Sequence, residues 1–175
     1  MTFMEIQTLK FEVIPDRENY PYELLLLADE TIESINKYIF DSTVYCVKNN
    51  EETIAAFCLY EIDDNTIELK NIAVAEKYQN RGCGSAIISF IKKICKNKYR
   101  SIIVGTGDCG IQQIRFYEKN GFCKYDIQKN FFIENFEEPI FENGNQLKDM
   151  VMLKYEVEAS LWIAQHEMEK PIAEK

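Results

Sequence analysis

Only one histidine, His166, occurs in 175 residues. A Ser-His-Asp or Cys-His centre would have to use that residue, in a stretch close to the end of the chain, so nucleophilic catalysis of that kind is set aside. Zinc is set aside for the same reason: the six cysteines at 46, 58, 83, 95, 109 and 123 form no C-x-x-C pair. Thiols spread in this way are expected to be reduced, as in a cytosol. Long apolar runs are missing too. Leu24 to Ala28 and Ala86 to Ile91 fall far short of the roughly 18–20 residues that span a bilayer. No basic-then-apolar leader opens the sequence, so a cytoplasmic protein without a membrane partner is expected. Positive charge is scarce: 20 Lys and Arg stand against 29 Asp and Glu, a net charge of −9. That balance argues against nucleic acid, which needs a basic face, and is compatible with a cationic or amine substrate.

At 46% hydrophobic and 13% aromatic residues, the chain can build one substantial core. The stretch that organises it is Gln79-Asn80-Arg81-Gly82-Cys83-Gly84-Ser85, between a strand-like run (Ile67 to Ala75) and a helix-like one (Ala86 to Cys95). The first amides of a helix lack internal partners, and the helix dipole favours negative charge there. Gly82 and Gly84 allow positive φ and close approach, and Arg81 adds a cation. The turn is not a P-loop, because no Gly-Lys-Ser/Thr follows. Nor is it a Rossmann fingerprint, because Ile87 stands where the third glycine belongs.

Along the chain, Lys10 to Ile14 reads as a strand stopped by Pro15, and Pro21 to Ile39 as helical, broken at Asp29-Glu30, with Thr31 able to cap a second helix. Thr43 to Lys48 and Thr53 to Ile62 form a hairpin, and Asp63-Asp64-Asn65 turns the chain into the third strand. There the apolar residues change parity, from Ile67 and Leu69 to Ile72 and Val74. A parity change means an extra residue, a β-bulge near Lys70-Asn71, unless both faces of the strand are buried. The helix that follows has Ile87, Ile88, Ile91 and Cys95 on its apolar side, with Lys92, Lys93 and Lys96 opposite. Ser101 to Val104 reads as a central strand, Gly105 to Gly110 as a loop, and Ile111 to Asn120 as a helix ended by Gly121. Phe131 to Leu147 reads as a packed aromatic loop, and Asp149 to Glu156 as the last strand. Trp162 fits a cover for the core, the seam of a homodimer or a ligand contact.

The order Gln79-x-x-Gly82-x-Gly84 after an Ile-Ala-Val strand end resembles the pyrophosphate loop of the GNAT family, the GCN5-related N-acetyltransferases. Phe116-Tyr117-Glu118-Lys119-Asn120-Gly121-Phe122 is similar to the second signature of that family. The resemblance covers Tyr45 to Phe122 well. It implies one α/β domain over 1–157 with a tail at 158–175, a mixed, mostly antiparallel sheet with a bulged central strand, and helices on both faces. It implies acetyl-CoA as co-substrate, no metal, and a primary amine as acceptor.

Coenzyme contacts are then expected at Ile72, Ala73, Val74, Gln79, Asn80, Arg81, Gly82, Cys83, Gly84, Ser85, Gln113 and Tyr117. Glu68 is expected as the base, with Glu61 the weaker alternative, and Tyr117 as the acid beside the sulfur. Tyr20, Tyr22 and Tyr38 are candidate acceptor contacts. One departure stands out: Gly110 occupies the position, seven before the tyrosine, that often holds asparagine, with Asp108 or Gln113 as substitutes. Cys83, at a helix start, would have a lowered pKa, and is read as a filler of the loop. The alternative to an enzyme is a non-catalytic GNAT-like module that binds acyl-CoA.

Overall fold

A computed structural model describes residues 9–157. Seven strands form one mixed sheet: β1 (Leu9–Val13), β2 (Ser42–Asn49), β3 (Glu52–Asp63), β4 (Thr66–Val74), β5 (Ser101–Gly107), β6 (Cys123–Gln128) and β9 (Met150–Glu156). Their order is β1-β2-β3-β4-β5-β9-β6, so the last strand inserts between the two that precede it. Neighbours run antiparallel except β4 and β5, which are parallel and need a crossover; α3 (Cys83–Cys95) supplies it. The remaining helices are α1 (Tyr22–Leu25), α2 (Ile32–Asn36), α4 (Ile111–Lys119) and α5 (Phe131–Asn135). A small hairpin, β7 (Phe141–Glu142) with β8 (Asn145–Gln146), follows α5.

Two apolar clusters sit on opposite faces of the sheet. Ile87, Ile88, Ile91 and Cys95 of α3, with Ile114 and Tyr117 of α4, cover Phe57, Leu59, Ile67 and Leu69. Leu25, Ile35, Tyr38 and Ile39 cover Val44, Ala56 and Cys58 on the other face. From Ala55 to Leu59 the odd-numbered residues of β3 thus lie in the α3 cluster and the even-numbered ones in the α2 cluster, as a period of two requires; Ile54, at a register shift against β2, joins the α3 cluster. The parity change in β4 is real. Cys58 pairs with Asn71 and Leu59 with Leu69, leaving Lys70 as the extra residue. Ile72 and Val74 pack on the same cluster as Ile67 and Leu69 because the bulge shifts them by one.

Local signals behaved as the sequence suggests at the helix ends. Thr31 caps α2, its Oγ1 accepting from the Ser34 amide at 3.1 Å. The hairpin between β2 and β3 turns through Asn50 in the left-handed region. Two expectations change. β5 runs on to Gly107 where a loop was expected from Gly105, because the missing Cβ atoms admit neighbours: a Cβ on Gly105 would lie 2.5 Å from the Met150 Sδ of β9. Lys92 is not on a solvated face. Its ammonium donates to the Asn120 carbonyl at the end of α4 and lies 3.8 Å from the centroid of the Tyr155 ring; burial lowers its pKa.

The six cysteines are free, four of them buried. No helix among the described residues is long and apolar enough to cross a membrane. Trp162 and His166 lie outside the described residues. Because Ile87 is fully buried where α3 meets the sheet, Ile87→Ala should cost about 2–5 kcal/mol. In urea unfolding this would appear as a lower midpoint at an unchanged slope.

Candidate active site

After Glu68 and Ile103, β4 and β5 stop pairing. Both strands continue, to Val74 and Gly107, so the sheet opens into a V. The gap is a cleft of about 1270 Å³, lined by both strands, the start of α3, the inner side of α4, and the Asp29 and α5 regions.

Backbone groups along β4 are sorted by the strand's own alternation. The Ala75 amide donates to Ile54 of β3 at 2.9 Å. The amides of Ile72 and Val74, one step out of phase, therefore turn away from β3 toward the gap, and that of Ala73 turns back to it. The Val74 carbonyl on the gap side is taken by the Gln79 side chain at 2.9 Å. At the start of α3, Gly82 is left-handed at φ 85, a conformation suited to glycine, and Asn80 precedes it at φ 57. The first α3 amide to find a backbone acceptor is that of Ala86, which donates to Gly82. The preceding amides form a set of donors at a helix N-terminus on the cleft.

Of the residues expected to hold a coenzyme, Ile72, Val74, Gln79, Asn80, Gly82, Gly84, Ser85, Gln113 and Tyr117 line the cleft, as does Glu68. Ala73, Arg81 and Cys83 do not line it. Cys83 points into the core at 1% exposure, and burial pushes its thiol up to about 11. The lowered pKa expected from the helix start is thus reversed, because desolvation outweighs the dipole. Gly84 has a second role: a Cβ there would stand 3.1 Å from the Phe116 ring. Gln113 donates to the Glu142 carboxylate at 2.8 Å, which ties α4 to the hairpin after α5.

Tyr117 is held by the end of its own helix. Asn120 is the C-cap, Gly121 is left-handed at φ 82, the Gly121 amide donates to Glu118 at 2.9 Å and the Phe122 amide to Tyr117 at 3.1 Å. That is a Schellman motif, and its accompanying apolar contact is the Tyr117–Phe122 ring pair at 5.7 Å. Burial raises the Tyr117 pKa well above its ordinary value, so the phenol stays protonated. Glu68 accepts from Lys70 at 3.0 Å with a side chain 13% exposed. Glu61 lies away from the cleft, held by Lys98 and Tyr99. Asp108 accepts from the Lys148 amide at 3.2 Å and is not part of the lining.

Sequence reasoning missed a polar group on the far side of β4. Tyr38 donates to Asp29 Oδ2 at 2.6 Å. Asn71, at the bulge, presents its Nδ2 to Asp29 Oδ2 (3.2 Å), the Tyr38 hydroxyl (3.1 Å) and the Leu25 carbonyl (3.0 Å). Tyr38 was expected as an acceptor contact and does line the cleft; Tyr20 and Tyr22 instead pack against the second apolar cluster. Asp29 and Asn71 gave no local signal, since their partners are remote in sequence. Burial raises the Asp29 pKa, against the opposing pull of Tyr38 and Asn71.

A group with a raised folded-state pKa binds its proton more tightly when folded, so its ionisation subtracts stability as pH rises through that value. Asp29→Asn should therefore raise the urea midpoint at neutral pH. The difference should shrink as the pH falls and the native carboxyl takes up its proton.

Known proteins bear on this arrangement in three ways. A family model described as acetyltransferase (GNAT) matches residues 3–122. The chain is 34% identical over 151 residues to the uncharacterized N-acetyltransferase YvbK of Bacillus subtilis (strain 168), covering 86% of this chain and 97% of that protein. It superposes with a TM-score of 0.81 and 41% identity on a GNAT family acetyltransferase from Elizabethkingia anophelis with acetyl-CoA bound, covering 85% of this chain and 98% of that one. For a Bacillus subtilis acetyltransferase in complex with CoA the TM-score is 0.77 at 34% identity, over 85% and 98%.

Proposed function

The chain belongs to the GNAT family and is an acetyl-CoA-dependent N-acetyltransferase; from that premise we propose that it transfers acetyl directly to a primary amine, with Glu68 as base and Tyr117 as acid. Direct transfer is supported by one observation above others. The parting of β4 and β5 leaves the Val74 amide without a strand partner in the same cleft as the α3 amides, Glu68 and Tyr117.

Acetyl-CoA supplies an acetyl thioester. The α3 amides around Gly82 to Ser85 would take its diphosphate, with Arg81 adding charge from outside the cleft. The edge of β4 at Ile72 and Val74 would hold the amide-bearing arm by backbone hydrogen bonds. The Val74 N–H would polarise the thioester carbonyl as negative charge grows on its oxygen. Glu68 would accept the amine proton as the C–N bond forms and the C–S bond breaks. Tyr117 would donate to the departing sulfur. A free cysteine thiol has a pKa of about 8.5, below that of this buried phenol. As acid, Tyr117 thus steadies the departing thiolate by a hydrogen bond, and the thiolate takes up its proton from solvent, to which Glu68 returns one.

Thiol release with a panel of amines tests the reading. Tyr117→Phe should lower kcat by about 10²-fold while leaving coenzyme affinity in place; turnover that survives intact removes the acid. Glu68→Gln should lower kcat by a similar factor, about 10²-fold, and undiminished turnover removes the base. Coenzyme binding with no release for any amine would favour a binding module over an enzyme.

A further inference from the structure

Asp29 uses one oxygen only. Tyr38 and Asn71 both donate to its Oδ2, while Oδ1 accepts from no described residue. The carboxylate is half-buried on the cleft, and its neighbours Lys37 and Lys70 are already engaged. Lys70 pairs with Glu68, and Lys37 lies 5.7 Å from the centroid of the Phe136 ring. Lys70 and Lys37 act on Asp29 through space, lowering its pKa, but neither forms an ion pair with it, so Oδ1 is left for a further donor.

Across the cleft stands an aromatic wall. Phe132 stacks on Phe136 at 5.8 Å and meets Phe131 edge-on at 5.3 Å, and the three rings line the same space as Asp29. The wall is pinned. The Phe132 amide donates to the Lys148 carbonyl at 3.0 Å, and Asp149 accepts from Lys129 (2.6 Å) and the Asn130 amide (2.9 Å). The same segment touches the end of α2 through Lys37–Phe136 and α4 through Gln113–Glu142, so it borders the cleft from one side to the other.

We infer that the acceptor is a small monoamine with an aromatic body: its ammonium lies between Asp29 Oδ1 and Glu68, and its ring lies against Phe132 and Phe136. The inference rests on the transferase reading for the fate of that amine. An ammonium has three donors, enough for both carboxylates. Asp29 is then a positioning residue. Glu68 takes a first proton, passed on to solvent to leave the amine neutral, and a second as the C–N bond forms and the C–S bond breaks. The ammonium groups of Lys37 and Lys70 repel a second positive charge, which disfavours polyamines, and the aliphatic side chain of a peptide lysine offers no ring to Phe132 and Phe136.

Calorimetric titration of the CoA-loaded protein with 2-phenylethylamine, spermidine and a lysine peptide separates the seat from the chemistry. Phenylethylamine should bind at least about tenfold more tightly than the other two. Phe132→Ala and the volume-sparing Phe136→Leu should each weaken it by a factor of about three to ten. Asp29→Asn should raise the KM for phenylethylamine about tenfold with the KM for acetyl-CoA unchanged. An undiminished urea midpoint for Asp29→Asn at neutral pH shows that the loss is not one of folding.

Equal or better binding of spermidine or the peptide overturns the proposal, as does a phenylethylamine affinity indifferent to Phe132, Phe136 and Asp29. If phenylethylamine binds as described but no amine releases thiol, the seat stands and the transferase reading falls. Thiol release with other amines and none with phenylethylamine has the opposite meaning.

Discussion

Everything functional in this molecule depends on two parallel strands that separate. A parallel pair would normally satisfy the amides and carbonyls of both partners along their shared length. Here pairing ends at Glu68 and Ile103 while β4 continues to Val74 and β5 to Gly107. A buried backbone group without a partner costs about 1–3 kcal/mol, so the open stretch persists only because other elements compel it. Pairing with β3 holds the far edge of β4, the bulge at Lys70 resets its phase, and β9 straps β5 along its whole length. α3 starts just beyond the end of β4. Its unpaired amides therefore face the same gap as the strand's, and one cleft collects two sets of donors.

The second determinant is the end of α4. Gly121 lets the chain leave the helix in the left-handed region, and the Phe122 amide returns to the Tyr117 carbonyl. The ring of Phe122 then packs on the ring of Tyr117, so the motif that stops the helix also fixes the phenol. Lys92 from α3 caps the Asn120 carbonyl, and the Asn120 side chain reaches Ser85 Oγ at 3.3 Å. The start of one helix and the end of the other are thus one unit, and the Phe116 ring fits against it because Gly84 has no Cβ.

The Asp29–Tyr38–Asn71 group is kept at a cost. Asn71 is 4% exposed and its Oδ1 has no partner among the described residues, while Asp29 is desolvated enough to raise its pKa. An apolar substitute would pack there more favourably. Polar residues that weaken a fold at the wall of its cleft are the expected mark of a binding surface.

What could be read before folding was local. The bulge showed in four apolar residues of β4, the cap of α2 in Thr31, the turn into α3 in Gln79 to Ser85, and the glycine stop of α4 in the run from Phe116 to Phe122. Each is carried by backbone rules acting over a few residues, so the sequence alone determined the strand-turn-helix, the phase change and both signatures of the family. Where the partners are distant along the chain, only the tertiary structure decided. It set β9 between β5 and β6, turned Cys83 and Lys92 inward, placed Asp29 beside Asn71, and brought the α5 segment to the cleft. The physical reason is that burial and charge depend on what the rest of the fold brings alongside a residue, and no spacing in the sequence encodes that neighbour.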